Sequence, residues 1–206
     1  MTTHLKEKLA MNRVRRTVVL AIAALAMITA SYAAATTVEK MSLRDLAKKS
    51  DAIVLARVED ESARYESNKE IFTYITLRVL EPVKGPKKDD VITIRQMGGT
   101  VDKIASIVPG MPVFRKGDEV VLFLTQKDGA GYPWVMGLQQ GMYSVTADER
   151  GQKHVRNEIG ELNLVAPGGK VSEADAGKAQ PLQAFLDGLR TELNEAGKVQ
   201  VESTDK

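Results

Sequence analysis

Residues 116–125, Lys-Gly-Asp-Glu-Val-Val-Leu-Phe-Leu-Thr, decide the fold. A Gly117-Asp118 turn leads into the uninterrupted apolar run Val120-Val121-Leu122-Phe123-Leu124. A run of this length bounded by turn chemistry is too short for a helix and reads as a strand buried on both faces. Such a strand belongs in the middle of a sheet, so further strands must flank it.

The flanking sequence supplies them. Ala52, Val54, Ala56 and Val58 alternate toward one side, with Arg57 and Glu59 toward the other. Residues 59–70 (EDESARYESNKE) are polar and read as a hairpin connection or a flared strand end. Residues 71–80 are rich in β-branched and aromatic side chains. Ile71, Ile75, Leu77 and Val79 share one face there, and Tyr74, Thr76 and Arg78 the other. Pro82 and Gly85-Pro86 are expected to stop that strand. Residues 91–96 form a third strand, Gly98-Gly99 a turn or bulge, and residues 101–108 a fourth strand. Pro109-Gly110-Met111-Pro112 is turn chemistry, and Asp128-Gly129-Ala130-Gly131 a hairpin-like loop. Residues 134–138 and 142–146 are further strands, with residues 154–157 an added edge.

Helices bracket this β-rich stretch. Ser42 is an N-cap, with Asp45 completing a capping box and Met41 and Leu46 at the staple positions, so residues 43–49 read as a short helix. Residues 166–180 (APGGKVSEADAGKAQ) are small, polar and linker-like. Pro181 suits the first turn of a helix. Leu182, Phe185, Leu186, Leu189 and Leu193 then keep one stripe at helical spacing, with Gly197 as its C-cap. That stripe docks on the strands or binds a partner. Short, closely spaced strands with Gly/Pro punctuation argue for a small barrel or sandwich, and closure removes exposed edges. The reading is mainly β: a small OB-like barrel over residues 43–157 with a short N-terminal helix and a C-terminal amphipathic helix over residues 181–197. Residues 34–42 are a lead-in, 158–180 a linker and 198–206 a disordered tail.

The first 33 residues read differently. His4, Lys6, Lys8, Arg13, Arg15 and Arg16 make a basic front end, and residues 17–30 (TVVLAIAALAMITA) carry no charge. That run falls short of the roughly 20 apolar residues of a spanning helix. With the small residues Ser31 and Ala33 after it, it forms a secretory signal pattern. Cleavage is expected after Ala33, with Ala35 the close alternative, and an uncleaved anchor is the competing reading. The domain would then be periplasmic or extracellular, with no membrane span. Five of the 29 Lys+Arg and one of the 27 Asp+Glu lie in residues 1–33, so the remainder carries 24 against 26, a net charge of −2. The basic balance of the whole chain therefore belongs to the signal and is no argument for nucleic-acid binding. The chain has no cysteine, which removes disulfides, thiol catalysis, zinc–cysteine sites and lipid attachment at cysteine.

Two stretches taken together resemble OB-fold domains of the netrin/tissue-inhibitor-of-metalloproteinase type. One is the strand end Leu77-Arg78-Val79-Leu80-Glu81-Pro82-Val83-Lys84-Gly85; the other is Lys116-Gly117-Asp118-Glu119-Val120-Val121-Leu122-Phe123-Leu124. The span 43–146 also resembles a group of uncharacterised secreted bacterial proteins, with Gly98-Gly99, Pro109-Gly110-Met111-Pro112 and Gln139-Gln140-Gly141 adding to the likeness. The resemblance implies an OB-like barrel. It does not carry a mechanism over, because inhibitors of that type reach the protease's zinc through an N-terminal cysteine that this chain lacks.

No catalytic constellation stands out. His154 sits in a polar stretch and reads as a solvated surface residue. The acids Glu59-Asp60-Glu61, Asp89-Asp90, Asp118-Glu119 and Asp148-Glu149 fall at turns and strand ends, where neighbours point to opposite faces. No metal site or cofactor motif is legible. Tyr132, Trp134, Met136, Met142 and Tyr143 gather around one loop and strand, and aromatic and Met side chains beside Gly-rich turns suit a recognition surface. Packing inside a barrel is their other use. The expected function is a non-enzymatic binding module for a protein, peptide or glycan, a protease-inhibitor-like role by surface contact included; a carboxylate-based hydrolase and a structural envelope role are the alternatives. N-terminal sequencing of the exported protein should begin at Ala34. A chain that still begins at its first residues would overturn the signal reading.

Overall fold

Ser42 opens the first helix through a reciprocal cap. Its Oγ accepts from the Asp45 N–H at 3.1 Å, and its own N–H donates to Asp45 Oδ2 at 3.2 Å. The capping box therefore forms as its residue types require, and helix α1 spans Leu43–Lys49 with Leu46 and Ala47 buried. The computed structural model describes residues 37–67, 69–157, 159, 163–165, 171–173 and 177–204. The export signal expected over residues 1–33 lies outside the described residues, as does the end of the tail, residues 205–206.

The protein is mainly β. Strand β1 is Thr37–Glu39, β2 Ala52–Tyr65, β3 Ile71–Lys84, β4 Val91–Met97, β5 Gly99–Val101 and β6 Ile104–Ser106. Next come β7 Glu119–Leu124, β8 Met142–Ala147, β9 Lys153–Asn157, β10 Asn163–Val165, β11 Val171–Glu173 and β12 Gln180–Pro181, before helix α2 at Leu182–Thr204. Seven strands form one sheet in the order β12-β9-β8-β7-β2-β3-β4. Every neighbouring pair in it is antiparallel. The apolar run of β7 is the central strand, as its two buried faces demand.

Two cores lie against the two faces of β7 and β2. Val121 and Phe123 join Ile53, Leu55 and Val155 under the helices, where Leu46, Ala47, Leu182, Phe185, Leu186 and Leu189 complete the packing. Val120, Leu122 and Leu124 join Val54, Ala56 and Val58 in the second core, with Ile75, Leu77, Val79, Ile94 and Phe114. Each fully buried aliphatic or aromatic side chain contributes about 1.5–3 kcal/mol, before the entropy of ordering it is subtracted. The Leu/Phe stripe of α2 is thus docked on the sheet. No helix among the described residues is long and apolar enough to cross a membrane.

Several local expectations are corrected. Strand β3 does not stop at Pro82 but runs to Lys84. Pro82 pairs with Val54 at a register shift, and β4 borders β3 only as far as Arg78, so the missing N–H breaks no ladder on that side. Residues 101–108 are not one strand: Asp102, with φ of 54°, turns the chain between β5 and β6. Residues 134–138 give only one bridge, Leu124 with Val135. Gly137 and Leu138, both at positive φ, then turn the chain into a short 3-10 helix, Leu138–Gly141. Helix α2 runs through Gly197 to Thr204, since a glycine inside a helix costs about 1 kcal/mol without ending it. The lead-in and linker are not wholly irregular either, because β1 pairs in parallel with β10, and β10 antiparallel with β11.

The hydrogen-bonded sheet does not close into a barrel; its edges are β12 and β4. The segment 133–136 lies between β7 and β4. Its Pro133 carbonyl accepts from the Arg95 N–H of β4 at 3.2 Å, and its Trp134 carbonyl accepts from the Thr125 N–H at 2.9 Å. Met136 N–H donates to the Phe123 carbonyl of β7 at 2.8 Å.

At the far end of the β2–β3 hairpin, β5 crosses close to both strands. Gly99 has φ of +133°, and a Cβ there would meet Thr73 Oγ1, Ala63 Cβ at 2.9 Å and Ile71 Cγ2 at 3.4 Å. The position needs glycine for both its backbone and its neighbours. Gly99→Ala should therefore lower stability by about 2 kcal/mol or more in chemical denaturation. An unchanged midpoint would show that β5 is not packed on the hairpin.

Candidate functional site

The register of β2, β3 and β4 sets two rows of side chains across one face. Arg64 lies opposite Phe72 and Phe72 opposite Met97; Ser62 lies opposite Tyr74 and Tyr74 opposite Arg95. Directly opposed residues on a sheet project to the same side and touch. The loop after β7 lays two more aromatics on this surface. Trp134 meets Phe72 edge to face, with ring centroids 6.2 Å apart at 89°. Tyr132 meets Tyr74 in the same way at 5.1 Å and 77°. These are the offset geometries that the ring quadrupoles favour.

Two arginines bind the rings together. The Arg95 guanidinium stands 4.2 Å from the Phe72 centroid and 5.5 Å from that of Trp134. Arg64 stands 3.8 Å over Tyr74. Both fall in the range of cation–π attraction. Two carboxylates hold Arg95 and the polar edges of the rings. Glu66 accepts from the Tyr74 hydroxyl and lies 3.1 Å from Arg95 Nη1. Asp128 Oδ2 accepts from the Trp134 indole N–H at 2.7 Å, while Oδ1 accepts from the backbone N–H groups of Ala130 at 2.9 Å and Tyr132 at 3.1 Å. Arg95 Nε lies 3.5 Å from Asp128 Oδ2.

Phe72 and Tyr74 are buried beneath this layer, whereas Tyr132 and Trp134 are half-buried and Arg64 is exposed. Met97 is 38% exposed at the margin. The result is a wall of aromatic and guanidinium surface whose inner members fix its outer members.

Only two of the five candidate residues stand in this wall. Met136 and Tyr143 pack against the helix-side core, where the Tyr143 ring lies 4.9 Å from Phe185 and 5.8 Å from Phe123. Met142 packs against the second core. Neighbours in a strand point to opposite faces, so Met142 and Tyr143 of β8 could not share a patch. Phe72, Tyr74, Arg64, Arg95, Glu66 and Asp128 were not singled out in the sequence. The sequence places Tyr74 on the face away from Ile75, but leaves no sign of the register that sets Arg95 opposite it.

The other chemical candidates are dispersed. His154 is half-buried, with Nδ1 3.2 Å from the Gln152 carbonyl oxygen and 3.9 Å from Asp148 Oδ2. Glu61 is pushed above the usual carboxylate range by burial, then by Asp118 and Asp60. Glu119 is also pushed up by burial, but hydrogen bonds from Lys153 and Arg57 overcome that effect and hold it low. Among the described residues no group of three or more His, Cys, Asp or Glu side chains could hold a metal ion. No protein-family model, curated protein or solved structure matches the chain.

Asp128 gives the wall a pH dependence. Burial pushes its carboxyl up, but hydrogen bonds from Trp134, Tyr132 and Ala130, together with the Arg95 charge, outweigh it and leave the pKa below the usual value. A carboxyl depressed in the folded state stabilises it above the unfolded pKa of about 3.9 and loses that contribution as pH falls through the folded value. Trp134 is the only tryptophan, so its fluorescence reports the wall directly. Emission should hold steady from neutral pH down to about 4 and change below it. Asp128→Asn should shift the neutral-pH emission. A wild-type transition centred well above that pH would contradict the assignment.

Proposed function

We propose that the protein is an exported, non-enzymatic binding module that recognises a protein, peptide or glycan through the Tyr132–Trp134 wall. One observation carries this reading: Trp134 is held at its indole N–H by Asp128 and flanked by Phe72 and Arg95, yet remains half-buried beside Tyr132. A side chain already ordered loses little freedom on binding. Tryptophan, tyrosine and arginine are also the residues that dominate binding hot spots.

The same reading includes an OB-like barrel of the netrin/tissue-inhibitor type. Its support is the second core, drawn from β2, β3, β4 and β7, and the Arg95–Pro133 hydrogen bond in the gap between β4 and β7. Protease inhibition by surface contact is one form this function takes. The lack of cysteine leaves no zinc-directed form. Export is supported by the basic front end and short apolar run of residues 1–33. A carboxylate-based hydrolase is the second reading, favoured by the raised pKa of Glu61 beside Asp118 and Asp60. Glu61 stands on an exposed stretch of β2, which gives a substrate little shelter from water.

Peptide and glycan arrays probed with the chain lacking residues 1–33 test the proposal. A bound ligand should alter Trp134 fluorescence, and its affinity should fall about tenfold in Tyr132→Ala and in Arg64→Ala. A ligand bound equally well by both variants, or no ligand in either array, would count against the wall.

A further inference from the structure

The two arginines of the wall differ in what answers their charge. Arg95 pairs with Glu66 at 3.1 Å and with Asp128 at 3.5 Å. Among the described residues no carboxylate pairs with Arg64. Its guanidinium is nevertheless held in place, 3.8 Å over the Tyr74 ring. Hydrogen bonding to the Tyr74 side chain, and less strongly to that of Tyr132, pushes its pKa up. Arg64 is exposed, and a guanidinium carries five N–H donors, so it keeps donors that face water.

The acceptors of the wall are in the opposite condition. Glu66 Oε1 accepts from the Tyr74 hydroxyl, and Oε2 accepts from Arg95 Nη1 at 3.3 Å. Asp128 Oδ1 accepts from the Ala130 and Tyr132 backbone N–H groups, and Oδ2 from the Trp134 indole N–H. Every oxygen of both carboxylates therefore already has a donor. A sugar brings several O–H donors on each ring and would find these acceptors taken. The wall has two things to give a ligand: positively charged donors at Arg64, and half-buried aromatic surface at Tyr132 and Trp134.

A carboxylate matches the planar fork of a guanidinium, and an apolar side chain matches the rings. In an extended peptide, side chains two residues apart lie on one side of the chain, roughly 6.6 Å from each other. We propose that the wall binds an extended acidic peptide: Arg64 reads one carboxylate, and an apolar side chain two residues away lies on Tyr132 and Trp134. This inference rests on the wall being the binding surface, and it names the ligand. The orientation follows from charge. Glu66 and Asp128 share the single positive charge of Arg95, so the Trp134 side keeps a negative excess that repels acids. The ligand's carboxylate is confined to the Arg64 side.

The test is an NMR titration of the ¹⁵N-labelled full-length chain with N-acetyl-Gly-Phe-Ser-Glu-Gly-amide and, separately, with its Gln counterpart, which lacks only the carboxylate. Trp134 is the only tryptophan, so its indole N–H gives a single reporter resonance. The acidic peptide should shift that resonance saturably, with a Kd of about 1 mM or tighter. The Gln peptide should bind about fivefold more weakly, the upper range for an exposed ion pair of bidentate geometry. Added salt should narrow that gap. In Arg64→Gln the two peptides should bind alike. The comparison of the two peptides on the wild-type chain stands whether or not that variant folds. Equal binding of the two peptides by the wild type, with both lost in Tyr132→Ala, would overturn the acid preference and leave the wall as a binding surface. A gap that persists in a folded Arg64→Gln would overturn the role of Arg64. No shift with the acidic peptide, or tighter binding of a uronic-acid trisaccharide, would overturn the peptide assignment, while the arrays decide separately whether the wall binds a ligand at all.

Discussion

Strand β7 and the first half of β2 are buried on both faces, and everything else in the architecture answers that constraint. A sheet with one wet face needs one cover; a sheet whose central strands are dry on both sides needs two. The helices supply one cover, through Leu46 and Ala47 of α1 and the Leu182–Leu189 stripe of α2. The second core gathers β3, β4 and the Phe114 loop around Val54, Ala56 and Val58. The bridging segment 133–136 is bonded to both β7 and β4, and it carries Trp134. The candidate wall is thus attached to the same stretch of chain that lies along the core.

Local chemistry was the most legible part of the sequence. The α1 capping box, the β7 run and the α2 stripe each depend on residues within a turn or two of one another, and each forms where its residue types place it. The misreadings have one cause. Pro82, Gly197 and the 101–108 run were judged from local signals, but neighbours elsewhere decide them. A proline is harmless beside a strand with no ladder on that side, and a glycine does not end a helix already anchored by four buried residues. Pairings such as Val38 with Leu164 leave no short-range pattern to read.

The site was half legible for the same reason. Tyr132 and Trp134 stood out because aromatics beside glycines are conspicuous. Their partners did not, because Arg64, Phe72 and Arg95 come from three strands and meet only through the β2–β3–β4 register.

The position of α2 in the helix-side core bears on the order of events when the chain is made. Arg44 at the start of the domain pairs with Glu192 near its end, 2.9 Å apart, and Leu46 shares a core with Leu186 and Leu189. Helix α1 and β2 therefore cannot complete that core until α2 has emerged from the ribosome. Contacts so distant in sequence also slow folding. On the proposed export route such a delay is useful. A domain whose closing piece arrives last stays threadable for longer, and it acquires its finished shape only when the C-terminal helix arrives on the far side.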